Sequence, residues 1–134
     1  MYYGALEAGG TKMVCAIGDA DKNIIDRISI PTGTPDQSVP AMIDYFKKYD
    51  ISALGIGTFG PADINPNSPT YGSIMRSPKK DWEGFSLYKA FTDALGCLVV
   101  VDTDVNAAAW GEYLYGALKG LNSGMYLTVG TGIG

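Results

Sequence analysis

The first part of the chain consists of short apolar runs separated by turn-forming residues. Two apolar runs, at 2–8 and 13–17, each end at a glycine-containing cluster, and the stretch 24–30 alternates apolar and polar positions. Alternation with a period of two is typical of a half-buried strand, and clusters of Gly, Asp and Asn mark tight turns. The pattern therefore predicts three short strands joined by tight turns in an antiparallel meander.

Farther along, helical spacing of apolar residues alternates with continuous apolar runs. Helices are predicted over 35–48, 85–95 and 105–118, and strands over 51–58, 98–101 and 124–129. Thr34 followed by Pro35 is a typical helix beginning, although Pro40 leaves that boundary open. The unbroken apolar run at 98–101 indicates a central, parallel strand. Strands that alternate with helices predict an α/β fold with a mixed sheet flanked by helices.

The stretch between residues 59 and 80 is rich in Pro, Gly, Asn and Ser and has no periodicity. A loop of that length in a compact domain is usually functional or carries a small hairpin, of which Thr70–Met75 is one predicted arm. Trp82 follows the loop. A tryptophan in this position stacks on a sugar or belongs to the core, and the sequence leaves both alternatives open.

Composition narrows the classes of function. The chain has 134 residues, of which 46% are hydrophobic, enough for a single core. Fourteen acidic against ten basic residues give a net charge of −4, which argues against binding to nucleic acid or an anionic membrane. No apolar run reaches the roughly 18 residues of a membrane helix. The 18 glycines, roughly twice the average share, indicate close backbone approaches or unusual dihedral angles.

Two further residue types restrict the chemistry. The chain contains no His, which excludes a Ser-His-Asp triad, a Cys-His pair and a His-ligated metal built from these residues alone. Cys15 and Cys97 lie far apart, each in an apolar run, and are predicted to be reduced core residues. Reduced cysteines, together with an N-terminus unlike a signal peptide, predict a cytoplasmic protein.

Two glycine turns, each directly after a predicted strand, are candidate phosphate sites. The first comprises Gly9, Gly10, Thr11 and Lys12, and the second comprises Gly130, Thr131 and Gly132. Adjacent glycines let backbone N–H groups approach an anion, and the threonine hydroxyls and the lysine add donors and charge. Glu7, at the end of the first strand, is placed to hold a metal-bound water. The alternative is two plain hairpin turns, since the spacing is not that of a Walker A loop.

A polar cluster at 102–106 lies between a predicted strand and a predicted helix. Ligands of α/β sheets bind at the carboxyl ends of strands. Asp104, kept ionised by the helix N-terminus, can accept the proton of an attacking alcohol. The alternative is that one of Asp102, Thr103 and Asp104 merely caps the helix. The last predicted strand enters its glycine turn where the sequence stops, so we expect the chain to be a fragment of a longer protein.

Together these segments resemble the ROK family of sugar kinases and repressors, in particular its bacterial fructokinase branch. The residues that carry the resemblance occur in family order through the whole chain: 7–12, 59–61, 77–79 with Trp82, 103–109 with Gly111 and Glu112, and 130–134. The resemblance implies an actin-like ATPase (ribonuclease-H-like) fold of two lobes with ATP between them. Residues 1–118 would form the N-terminal lobe, and 119–134 would begin the second lobe.

The resemblance also implies roles for single residues. Asp104 matches the catalytic base, and the two glycine turns match the two phosphate turns. Gly60 and Pro61 match a loop that closes on the sugar, and Asn106 matches a sugar-binding amide. Thr103 replaces an Asn that contacts sugar in glucokinases, which argues against a glucokinase. Glu7 matches the acidic position of the first phosphate motif, where a Glu resembles the fructokinase branch, and Mg²⁺ is expected near it.

The implied activity is phosphorylation of fructose by ATP to give fructose 6-phosphate and ADP. Alternatives are a ROK-type glucokinase, an N-acetylmannosamine kinase, and a non-catalytic sugar-sensing protein, including a repressor. The implied cofactors are ATP and Mg²⁺, and a structural Zn²⁺ is expected only downstream of this chain. The implied partners are the sugar and ATP, without nucleic acid or membrane. The full-length parent is expected to be a homodimer and the fragment alone inactive.

Overall fold

A computed structural model describes residues 1–130 and 133–134. The elements, in chain order, are β1 (Tyr2–Ala8), β2 (Lys12–Asp19), β3 (Ile24–Pro31), α1 (Pro35–Phe46), β4 (Ile51–Thr58), a 3-10 turn (Lys80–Trp82), α2 (Leu87–Leu95), β5 (Leu98–Thr103) and α3 (Asp104–Tyr115). The helix beginning predicted at Pro35 is confirmed, and Pro40 lies inside the helix. No helix among the described residues has the length and apolar character needed to cross a membrane.

The strands form one mixed five-stranded sheet in the order β3-β2-β1-β4-β5. The first three strands pair antiparallel, which confirms the predicted meander. Strands β1, β4 and β5 pair parallel, so their carboxyl ends lie at the same edge of the sheet. This shared edge is where the loops after β1, β4 and β5 meet.

The prediction of a central position for the strand at 98–101 is wrong. β5 is an edge strand of the sheet and continues to Thr103. Val99 and Val101 are buried, but Leu98 and Val100 on the opposite face are 66% and 52% exposed. The continuous apolar run therefore reflects one buried face and one apolar but open face, which a sequence pattern does not distinguish from burial on both.

One face of the sheet carries the core. A buried row crosses four strands through Cys15, Leu6, Ile56 and Val101, which are aligned in register. Helices α1 and α2 supply the facing side chains, including Met42, Phe46 and Phe91. Fully burying each such side chain contributes roughly 1.5–3 kcal/mol. This core fixes the sheet on which the candidate site is built.

Both cysteines are free thiols, and only one is in the core. Cys15 is fully buried, and this burial raises the pKa of its thiol to about 12. Cys97 is half-buried beside the core, and desolvation also raises its pKa. The prediction of a reduced core residue is therefore confirmed for Cys15, whereas Cys97 lies at the margin of the core.

Helix α3 packs on the other face of the sheet and ends earlier than predicted. It ends at Tyr115 rather than Leu118. The Glu112 carboxylate accepts the backbone N–H of Ala117 at 2.8 Å, and the backbone bends at Gly116. The Glu112 side chain thus accepts a backbone N–H just beyond the end of the helix, a local bond that competes with continuation of the helix.

The strand predicted over 124–129 is absent from the sheet. Residues 124–128 lie outside regular secondary structure, and Met125, Leu127 and Val129 are exposed. A strand needs hydrogen-bonding neighbours for its backbone groups, and this segment has none in the five-stranded sheet. Thr128 instead pairs with Gly134, with N–O distances of 2.9 and 3.0 Å.

Candidate active site

Three loops meet at the carboxyl edge of the parallel strands. Glu7 of β1, Gly57 of β4 and Asp102 of β5 are aligned in register across this edge. The loop after β4 begins beside β1, because the Phe59 N–H donates to the Ala8 carbonyl at 2.8 Å. The structure thus brings together the first glycine turn, the Gly60-Pro61 loop and the polar cluster at the start of α3.

The first glycine turn, residues 9–12, is closed by a backbone bond. The Gly9 N–H donates to the Lys12 carbonyl at 3.0 Å, and a Cβ atom at position 9 would lie 2.6 Å from that oxygen. Gly9 therefore shapes the turn, and its N–H is already used. The N–H groups of Gly10 and Thr11 donate to no atom of the described residues. These two donors are free to bind an anion.

Thr32 holds the glycine turn in place from the end of β3. Its hydroxyl donates to the Gly9 carbonyl at 2.7 Å, and its N–H donates to the Thr11 carbonyl at 3.1 Å. The Thr32 side chain is buried, so both bonds are shielded from water. No sequence motif marked Thr32. It follows the strand β3 and could be found only once the pairing of β2 with β3 was known.

At the start of α3, the residue that caps the helix is not the residue that is the candidate base. The Thr103 hydroxyl accepts the N–H of Asn106 at 3.2 Å, so Thr103 is the cap. Among the described residues, the N–H of Val105, at 2.9 Å, is the one group that donates to the Asp104 carboxylate. Asp104 is therefore not needed to begin the helix. Of the two alternatives that the sequence left open, capping belongs to Thr103 and leaves Asp104 available for chemistry.

Asp102 orients the side chain of Asn106. Its Oδ1 accepts Nδ2 of Asn106 at 2.7 Å and the Thr103 N–H at 2.7 Å. With its amide nitrogen held in this way, Asn106 keeps its carbonyl oxygen for another partner. The sequence named Asp102 only as a possible cap. The i,i+4 spacing of Asp102 and Asn106 across a helix beginning is the signal that could have found this pair.

Gly57 allows α3 to approach the sheet closely. A Cβ atom at position 57 would lie 2.9 Å from the Cβ of Ala107 and 3.4 Å from the Cα of Asp104. The absence of a side chain at 57 therefore sets the height of Asp104 above the sheet edge. Gly55, two residues earlier on the same face, has no neighbour within 4 Å at its Cβ position.

The loop after β4 is ordered by its own hydrogen bonds. Gly60 and Pro61 are joined by a cis peptide bond. The Asp63 carboxylate accepts the hydroxyls of Ser68 and Thr70, and these bonds hold its pKa below the ordinary range. The predicted hairpin arm is confirmed, because Ile74 and Ser73 form bridges with Ala62 and Ser86.

Trp82 does not face a ligand. It is 1% exposed, its ring packs edge-on against Phe59 and Phe85, and its indole N–H donates to the Gly33 carbonyl at 2.9 Å. Of the alternatives left open by the sequence, sugar stacking is wrong and the core position is confirmed. The fully paired indole N–H has no capacity left for a sugar hydroxyl.

The second glycine turn is only partly described. Gly130 is exposed and follows Val129, which pairs with Ile133, and a Cβ atom at Gly134 would lie 3.7 Å from the Val105 side chain of α3. Gly134 therefore lies beside the first turn of α3. Thr131 and Gly132, also predicted to bind phosphate, lie outside the described residues.

A cavity of about 630 Å³ lies between the open face of the sheet and α3, and Glu7, Asp102 and Asp104 are among its lining residues. The described residues hold no cluster of three or more His, Cys, Asp or Glu that could cage a metal. One or two carboxylates still fit Mg²⁺, which is usually bound through a few carboxylates, water and substrate phosphates. The free donors at residues 10–11 fit a phosphate group.

Known proteins resemble the whole of this chain. It is 46% identical to a fructokinase of Lactococcus lactis subsp. cremoris and 44% identical to a fructokinase of Pediococcus pentosaceus, covering 100% of this chain and 45% and 46% of those proteins. A ROK family glucokinase from Streptomyces griseus, solved with glucose and AMPPNP, matches at 30% identity and a TM-score of 0.82, over 100% of this chain and 43% of that one.

The chain spans less than half the length of these relatives. Its mixed sheet with flanking helices is the N-terminal lobe of the actin-like ATPase fold, as the sequence predicts. A model described as the ROK family matches residues 3–134. Because that match extends over almost every residue, the chain belongs to the ROK family.

Proposed function

We propose that this chain is the N-terminal part of an ATP-dependent hexose kinase, most specifically a fructokinase that converts fructose and ATP to fructose 6-phosphate and ADP. The observation that carries the proposal is the Asp104 carboxylate, which is released from capping by Thr103 and lies at the sheet edge that also holds the glycine turn. The fructokinase relatives at 44% and 46% identity support the choice of sugar.

In this proposal Asp104 accepts the proton of the attacking sugar hydroxyl. Asn106, oriented by Asp102, and Thr103 hold the sugar from the α3 side, and Gly60 and Pro61 hold it from the loop after β4. Positioning the hydroxyl supplies a large part of the catalysis in phosphoryl transfer. The Asp104 carboxylate then keeps the proton while the new bond to the sugar oxygen forms.

The glycine turn holds the phosphate side of the reaction. The free N–H groups of Gly10 and Thr11 and the charge of Lys12 stabilise phosphate oxygens, while Gly9 keeps the turn closed. When bound, Mg-ATP supplies the phosphoryl group, and the metal neutralises part of its charge. Glu7 would hold a water of that metal. Gly130, Thr131 and Gly132 would bind the nucleotide from the other side.

The remaining features of the proposal concern the whole protein. Residues 1–118 form the N-terminal lobe, and 119–134 begin a second lobe that completes the cleft. The parent would be a cytoplasmic homodimer, and the two free cysteines of this chain suit a reducing compartment. We expect the isolated chain to have little or no kinase activity, because it supplies one side of the cleft.

A glucokinase or N-acetylmannosamine kinase is the second candidate. It is favoured by the match to the glucokinase solved with glucose. Thr103 separates the candidates, because it replaces an Asn that contacts sugar in the glucokinases that the chain resembles, while its hydroxyl caps α3 and keeps its O–H donor for a sugar. Fructose is therefore the preferred substrate in the proposal.

The test is ADP release by the full-length protein with Mg-ATP and fructose, glucose, mannose or N-acetylmannosamine. Asp104→Asn should lower kcat by about 10²- to 10⁴-fold while fructose and ATP still bind. The matched control is Asp93→Asn, whose exposed carboxylate pairs with Lys89 on α2. Unchanged turnover in Asp104→Asn would contradict the role of Asp104. Sugar binding without turnover in the wild type would indicate a sensing protein.

A further inference from the structure

The side chain of Lys79 lies over the first glycine turn. A Cβ atom at position 10 would be 3.8 Å from Cε of Lys79, which is ordinary van der Waals contact. The ammonium nitrogen is bonded to that same Cε. The free N–H groups of Gly10 and Thr11 and the charge of Lys79 are therefore neighbours, although they come from segments almost 70 positions apart in the chain.

The backbone around Lys79 is fixed by buried anchors. The N–H of Lys79 donates to the buried Ser77 hydroxyl at 3.2 Å, and its carbonyl accepts the Trp82 N–H at 3.0 Å. Trp82 in turn donates to Gly33, next to the Thr32 that holds the glycine turn. One set of contacts therefore positions both the turn and the lysine, which indicates a built arrangement rather than a chance approach.

The neighbouring lysine shows how Lys79 differs. The Lys80 ammonium forms an ion pair with Glu83 at 3.1 Å. Among the described residues, Lys79 forms no ion pair. Lys12, within the turn itself, adds a second positive charge. Two lysines and two free N–H groups form a site for a multiply charged anion, such as a phosphoryl group.

We propose that Lys79 is a further phosphate-binding residue, which contacts the terminal phosphoryl group held on the turn at residues 9–12. The inference rests on the proposed function and deepens it. The lysine takes no part in bond making. The phosphoryl group has two sources, the terminal phosphate of the nucleotide and the phosphate of the sugar product, and the lysine would stabilise its charge during transfer between them.

The experiment compares Lys79→Met, Lys79→Arg and the control Lys80→Met in the full-length protein. Calorimetry measures binding of Mg-AMPPNP, Mg-ADP and fructose 6-phosphate, and ADP release gives kcat and the KM values. Lys79→Met should bind AMPPNP about tenfold or more weakly, since a charge-assisted hydrogen bond contributes on that scale. In Lys79→Met the affinity for ADP and the KM for fructose should be unchanged, and kcat should fall. Lys79→Arg should recover part of the lost AMPPNP affinity and kcat. Lys80→Met should behave as wild type.

Several results would decide against the inference. Lys79→Met equal to Lys80→Met for all three ligands would overturn it, and so would equal losses for AMPPNP and ADP. A loss confined to fructose 6-phosphate would support the phosphate contact and assign it to the product. If the wild type bound AMPPNP without phosphorylating any hexose, the proposed function would fail, while the calorimetry would still decide the role of Lys79. Lys79→Gln serves as a second neutral variant if Lys79→Met does not fold.

Discussion

The Tyr71 hydroxyl makes two hydrogen bonds to Val101, accepting its N–H at 2.8 Å and donating to its carbonyl at 3.0 Å. β5 is an edge strand of the sheet, and on the side away from β4 the Tyr71 phenol pairs with the backbone groups of Val101. Val101 directly precedes Asp102. Tyr71 therefore ties the loop after β4 to the strand that leads into the candidate base.

Replacing Tyr71 with Phe removes both bonds and keeps the ring, which packs against Tyr88 with centroids 4.9 Å apart. A partly buried backbone pair that loses its partner costs about 1–3 kcal/mol. We expect faster hydrogen exchange at the Val101 amide, a lower Tm and a higher KM for the sugar in the full-length protein.

The control for this change is Tyr88→Phe. Within the part of the chain that the structure describes, the Tyr88 hydroxyl makes no hydrogen bond. This variant should therefore keep wild-type exchange at Val101. Equal exchange in the two variants, measured by mass spectrometry of the peptide that contains Val101, would show that the phenol does not protect β5.

Gly57→Ala tests whether the close approach of α3 to the sheet is needed for catalysis. The new Cβ would lie 2.9 Å from that of Ala107, so α3 must move, and Asp104 moves with it. Moving a catalytic carboxylate away from the sugar hydroxyl in this way should reduce kcat at least tenfold. Gly55→Ala is the matched control, because its Cβ has open space. Similar kcat values for the two variants would refute the idea that Gly57 sets the position of Asp104.

Asp102 is predicted to act through Asn106. Asp102→Ala leaves Nδ2 of Asn106 without its 2.7 Å acceptor, so the amide is free to rotate. The KM for the sugar should rise several-fold, with a smaller change in kcat, since positioning rather than proton transfer is lost. Asp102→Asn retains a carbonyl acceptor and should lie closer to wild type. Steady-state kinetics that gave both variants the same KM would exclude a hydrogen-bonding role for Asp102.

Much of the fold could be predicted because the pattern and the burial agree. The run 2–8 and the turn after it are determined locally, and so is the helix that begins at Pro35. The position of β5 was not predictable in this way. Its edge place depends on which neighbour pairs with it, and a run of valines is compatible with either location.

The candidate site was predictable only where it depends on local sequence. Residue types indicated the glycine turn and Asp104, but the division of labour between Asp104 and Thr103 depends on hydrogen bonds that only the folded chain shows. Lys79 and Thr32 reach the turn from distant segments, so no local spacing reveals them. Trp82 is a similar case, since its burial comes from packing against the loop after β4.

The Asp63 carboxylate should make the loop after β4 sensitive to acid. Hydrogen bonds from Ser68 and Thr70 hold the pKa of Asp63 below its ordinary value of about 4. A carboxylate with a lowered pKa in the folded state stabilises that state above the unfolded pKa, and the stabilisation is lost as the pH falls through the folded pKa. The Tm of wild type should therefore exceed that of Asp63→Ala at pH 7, and the gap should narrow as the pH falls below 4. Thermal melts of both proteins from pH 3 to pH 7 measure this gap.

Asp36→Ala, a change in the first turn of α1, is a control for general loss of negative charge. A gap of the same size at every pH would mean that the ionised form of Asp63 does not hold the loop.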